Sequence, residues 1–86
     1  MSAVEDFFSE IDGASVSVGD RNWRVTLYSV TVESARRWLQ LNVTSGSDTY
    51  PLLLSLPLSA RPGRALKALA EWLTGPLAPD DRVISI

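Results

Sequence analysis

The sequence predicts a small α+β fold. A four-stranded antiparallel meander carries an N-terminal and a C-terminal helix on one face and gains a short edge strand, in the order α-β-β-β-β-α-β. Three observations carry that expectation. Apolar residues recur at intervals of three and four near both ends of the chain. They alternate with polar residues through the middle. Two tight-turn signals, Gly19-Asp20 and Gly46-Ser47, fall where the alternation would reverse direction.

Ser2-Ala3-Val4-Glu5 reads as a capping box, with the serine accepting from an amide three residues on and Glu5 reaching back. Val4, Phe7, Phe8 and Ile11 follow at helical spacing and Gly13 is a stop, so a helix is expected over residues 3–11. Val16 and Val18 then lead into Gly19-Asp20, and Trp23, Val25 and Leu27 continue the alternation. Glycine at the first central position of a two-residue loop suits a type II′ turn. Pairing Val18 with Arg21 sets Val16 opposite Trp23 on one face, as a half-buried hairpin requires.

The second strand is expected over 21–32, a turn near Glu33-Ser34-Ala35, and a third strand over 36–44. With the next turn at Gly46-Ser47, Thr44 pairs with Thr49. Val43 then lies opposite Tyr50, Leu41 opposite Leu52 and Leu39 opposite Leu54, again on one face. Residues 59–75 form the clearest helix: Pro62 fits its first turn, Ala65, Leu66, Leu69, Trp72 and Leu73 make its apolar stripe, and Gly75-Pro76 ends it. Arg61, Arg64 and Lys67 read as its solvated side. Residues 76–81 read as a loop and 82–86 as an edge strand. Each helix has a single apolar stripe, so both are expected on the same sheet face.

Eighty-six residues suit one domain, spanning 1–86. A chain this short buries only roughly 60–65% of its unfolded surface, and it has no cysteine to staple it. Pairing with a second copy is a common remedy in such small domains. Apolar residues make up 45% of the chain and the net charge is −2, a globular rather than a disordered composition. No run approaches the roughly 20 apolar residues of a membrane helix. The first residues are acidic where a secretory signal is basic, so a cytoplasmic protein is expected. A sequence pI near 4.9 argues against a nucleic-acid partner.

Histidine and cysteine are both absent, which removes the commonest general base, the usual zinc ligands and the thiol nucleophile. The five glycines are isolated and form no phosphate loop. Glu5-Asp6, Glu10-Asp12 and Asp80-Asp81 fall at expected helix ends or in a loop, where carboxylates are solvated or meet the helix dipole. Asn42-Val43-Thr44 matches a glycosylation sequon without the secretory context it needs, and Ser45 and Ser47 suit a turn. No enzyme activity, cofactor or metal is expected.

One surface stands out. If Trp23, Val25, Leu27 and their partners face the helices, the alternate residues face away: Arg24, Thr26, Tyr28, Val30 and Val32, then Arg36, Trp38, Gln40 and Asn42, then Leu53. A strict alternation pairs Tyr28 with Gln40, Val30 with Trp38 and Val32 with Arg36. An uncovered antiparallel face is ordinarily polar, and this one carries an aromatic and aliphatic group. Arg24, Tyr28, Val30, Trp38, Gln40 and Leu53 are the expected partner contacts. The pattern shifts phase between Leu27 and Val30, and a bulge there would turn Val30 and Val32 back toward the core. Arg36-Arg37 and Arg21 with Arg24 suggest a phosphate spot, but alternation sends Arg36 and Arg37 to opposite faces.

The expected function is a non-catalytic protein-interaction module, a homodimer through the open face or through the 82–86 edge. The alternative is a small-molecule or peptide carrier, with Trp23, Tyr50 and Trp72 lining a cleft between helices and sheet rather than filling the core. In size, acidity, lack of cysteine and element order the chain resembles the bacterial secretion chaperones. That resemblance implies a carrier of another protein; no motif accompanies it, and the strands before the second helix are too many.

Overall fold

The computed structural model describes residues 3–75 and 82–86, with the first helix's side chains from residue 7 onward. The capping pair Ser2 and Glu5, the carboxylates of Glu5-Asp6 and Asp80-Asp81, and the 76–81 loop lie outside the described residues. The elements are α1 (Ala3–Ile11), β1 (Ser15–Val18), β2 (Arg21–Glu33), β3 (Arg36–Ser45), β4 (Asp48–Pro57), α2 (Pro62–Thr74) and β5 (Val83–Ser85). The strands form one sheet in sequence order. The first four are antiparallel, as a meander dictates, and β5 is parallel to β4 because α2 carries the chain back across the sheet.

Both glycine turns take the expected form. Gly19 (φ 63°) and Gly46 (φ 61°) have positive φ, and neither Asp20 nor Ser47 does, which is the type II′ pattern. Val16 pairs with Trp23, and Val43, Leu41 and Leu39 pair with Tyr50, Leu52 and Leu54. The β2–β3 turn is different. Ser34 (φ 54°) and Ala35 (φ 59°) both sit in the left-handed region, a type I′ geometry that favours an asparagine followed by a glycine.

Strict alternation fails at Tyr28. The register shifts between Leu27 and Ser29, so Ser29 pairs with Gln40, Val30 with Leu39, Thr31 with Trp38 and Val32 with Arg37. This corrects the pairings of Tyr28 with Gln40, Val30 with Trp38 and Val32 with Arg36. The cause is spacing. Leu27 and Val30 are three residues apart, and two apolar side chains at that interval share a sheet face only if one residue is extruded between them. Tyr28 is that residue, and Val30 packs against the core.

The ladder on the other edge of β2 continues beyond β1. Gly13 N–H donates to the Val25 carbonyl at 2.7 Å, Val25 N–H to Ala14 at 2.9 Å, and Leu27 N–H to the Asp12 carboxylate at 3.1 Å. The α1–β1 connection thus supplies backbone partners up to the bulge.

Both helices lie on one face. Ile11, Leu39, Leu41, Leu54, Leu56 and Leu69 are sealed between them and the sheet. α2 begins at Pro62, not at residue 59. Proline forces the residue before it out of the helical region, and Arg61 is extended (φ −92°, ψ 161°). At the far end Gly75 is also extended, and Thr74 is the last helical residue. Among the described residues no helix is long and apolar enough to cross a membrane.

Candidate functional site

Among the described residues no helix or strand covers the face away from the helices, although Arg36 lies over Ser55 there. β2 contributes Arg24 and Thr26 before the bulge and Ser29, Thr31 and Glu33 after it, each on the side opposite the buried Val25 and Leu27 and the partly buried Val30. β3 contributes Arg36, Trp38, Gln40 and Asn42, and β4 contributes Pro51, Leu53 and Ser55, by their pairing with one another. Val83 of β5 pairs with Leu53 and so joins this face.

Of the expected contacts, Arg24, Tyr28, Trp38, Gln40 and Leu53 are here. Val30 is not: the bulge has turned it to the helix side, and Val32 follows it to that side while staying solvent-exposed beyond the helices. Tyr28 and Trp38 share the face without sitting side by side. The Ser29–Gln40 row, with Ser29 Oγ donating to Gln40 Oε1 at 3.4 Å, separates them. Sequence reasoning missed Pro51 and Val83. Leu53 facing outward was the available signal, since a strand added beside β4 would bring one of its residues next to it.

Tyr28 is 57% exposed and lies over the sheet, its hydroxyl accepting from Asn42 Nδ2 at 3.0 Å. With Gln40, Asn42, Pro51, Leu53 and Val83 it borders a shallow depression of about 500 Å³. Val83 is 53% exposed at its edge. Trp38 is half-buried, and its indole Nε1 donates to the Glu33 carbonyl at 3.1 Å. That bond fixes the ring beside a second depression, of about 390 Å³, which reaches Thr31, Ser34 and Leu53. Leu53 borders both depressions and is the centre of the surface.

The charges on this face are unequal in availability. Arg36 is engaged within the chain: its Nε donates to Ser55 Oγ at 2.7 Å and its Nη2 to backbone oxygens of Ser55 and Ile86. Arg24, the fourth residue of β2, and Glu33, its last, are both exposed. An apolar centre thus lies between a cation in the first half of a strand and a carboxylate at its end.

The three aromatics considered for a ligand cleft pack on one another. Trp23 and Tyr50 have centroids 5.7 Å apart, and Tyr50 meets Trp72 edge-on at 5.9 Å. Arg21 lies 4.4 Å over the Trp23 ring and pairs with Asp48 at 2.8 Å. No protein-family model, no curated protein and no solved structure matches the chain.

Proposed function

We propose that the chain is a cytoplasmic, non-catalytic interaction module that pairs with a second copy of itself through the open sheet face. The observation that carries this reading is the grouping of Tyr28, Trp38, Leu53 and Val83 on a face that neither helix covers. Trp and Tyr are enriched among residues that dominate binding energy, and an apolar group ringed by Gln40, Asn42 and Thr31 has the core-and-rim form of an interface. The lack of histidine and cysteine supports a binding rather than a catalytic role.

Self-association is favoured by the charge layout. A two-fold axis lying between two stacked sheets, at right angles to β2, runs the β2 strands antiparallel to each other. Arg24 of one copy then faces Glu33 of the other, twice per dimer, as a self-complementary interface requires. Leu53 and Trp38 would be buried between them.

Light scattering on the wild type and on Trp38→Asp tests the reading. A wild-type mass of two chains that falls to one chain in the variant, with unchanged far-ultraviolet circular dichroism, is the expected result. A monomeric wild type at hundred-micromolar concentration sinks it.

A further inference from the structure

On the helix side of the sheet, Arg37 has no carboxylate partner among the described residues. It is 8% exposed, stacks over the Phe7 ring with its guanidinium carbon 4.5 Å from the centroid, and donates from Nη1 to the Leu58 carbonyl at 3.3 Å. Its Nε is buried with no hydrogen-bond partner, and no carboxylate of the described residues lies within ion-pair distance of it. A buried charge left in that state is costly, and proteins ordinarily give it a counter-charge.

Arg37 lines an open depression of about 700 Å³ that also takes in Glu10, Ser59, Arg61, Pro62 and Gly63. The last three are the N-terminus of the 13-residue α2, with Arg61 at the N-cap. That terminus has no side-chain cap and no acidic residue in its first turn. Pro62 has no N–H, and the amide of Gly63, the second helical residue, has no intrahelical acceptor. A Cβ placed on Gly63 would meet nothing within 4 Å, so no side chain fills the space beside that residue. Among the described residues that line it, the helix dipole and the guanidinium groups of Arg61 and Arg37 add positive potential there against the carboxylate of Glu10.

We infer that this depression binds a phosphate group, held by Arg37, Arg61 and the amide of Gly63. A tetrahedral oxyanion matches a guanidinium fork on one side and a helix amide on the other. The inference is independent of self-association, because the site and the open sheet face lie on opposite sides of the sheet.

The test is a titration of the ¹⁵N-labelled chain with inorganic phosphate, read by amide and arginine Nε–H resonances, with sodium chloride at matched ionic strength as the blank. Saturable shifts at Gly63 and at the Arg37 Nε–H, absent with chloride, are expected. A linear drift equal to the chloride series overturns the inference. Arg37→Met, close in volume and uncharged, should weaken phosphate by about tenfold or more, as loss of charge-assisted hydrogen bonds implies. Undiminished binding in that variant also overturns it. Should Arg37→Met fail to fold, the exposed Arg61→Ala must weaken binding and Glu10→Gln must strengthen it; neither change moving the midpoint refutes the site. O-phosphoserine run beside inorganic phosphate separates a carried phosphate from the free ion: tighter binding of the former supports a phosphorylated ligand, and equal binding supports the ion.

Discussion

Arg36 Nε lies 2.7 Å from Ser55 Oγ, although the strand partner of Arg36 on β4 is Pro57. The side chain runs diagonally over β4, and its Nη2 ends on backbone oxygens of Ser55 and Ile86. One arginine therefore ties β3, β4 and the edge strand together. β5 has only three residues and pairs with β4 alone, so this tie adds to a short ladder and to the packing of Ile84 and Ile86 against the core. Arg36→Met should cost about 1.5–3 kcal/mol, the range for hydrogen bonds to a charged group. Hydrogen exchange locates the loss. The amides of Leu53 and Ile86, which bond across β4 and β5, should lose protection, while those between β2 and β3 keep it. Uniform loss across the sheet would mean that Arg36 acts on the whole fold and not on the edge.

Ser34 and Ala35 hold left-handed backbone angles without glycine or asparagine to ease them. The left-handed region costs an L-residue with a Cβ roughly 1–2 kcal/mol. Combining Ser34→Asn with Ala35→Gly keeps the type I′ loop and relieves that cost. The double substitution should stabilise the chain by about 1–2 kcal/mol in urea denaturation. No gain would show that the turn is held in its geometry by Trp38, whose indole donates to Glu33 at the mouth of the same loop.

Most of the fold was legible in the sequence because one rule, alternation across a buried face, applies to nearly every strand residue. Where Gly19 and Gly46 set the turns, the paired residues follow. The rule lost its hold at Tyr28 because a bulge is a contest between two registers. Burial of Val30 beside Leu39 wins over continuity of the ladder, and that energy depends on helices the local pattern does not contain. The start of α2 departs from the sequence pattern for a different reason. The apolar spacing lets the helix start at residue 59, but the constraint that Pro62 places on Arg61 delays it. Alternation sent Arg37 inward, but the partners that hold it there, the Phe7 ring and the Leu58 carbonyl, are not written in the strand pattern.

The bulge yields a paired test. Val30 packs against the core, whereas Thr31, its neighbour, is exposed on the other face. Val30→Asp should therefore destabilise the chain by about 1–3 kcal/mol, the cost of setting a polar group without partners against the core at a partly buried site. Thr31→Asp should stay within about 0.5 kcal/mol, as surface changes do. An uninterrupted β2 would reverse the order of the two. Urea midpoints of the two variants distinguish the registers directly.

The proposed dimer makes a prediction about charge that an unspecific apolar contact would not. Arg24→Glu places carboxylates opposite each other at both symmetric ends of the interface, and Glu33→Arg places two cations there. Each single change should weaken association, by up to about 1 kcal/mol per pair for an exposed ion pair. Because the two-fold axis repeats the pair, the loss is counted twice and grows further under low salt, where screening is weak. The double variant, Arg24→Glu with Glu33→Arg, restores opposite charges across the interface and should recover the wild-type dissociation constant in sedimentation equilibrium. If it associates no better than the weaker single variant, β2 does not run antiparallel to its copy, and the Trp38–Leu53 surface meets its partner in another orientation.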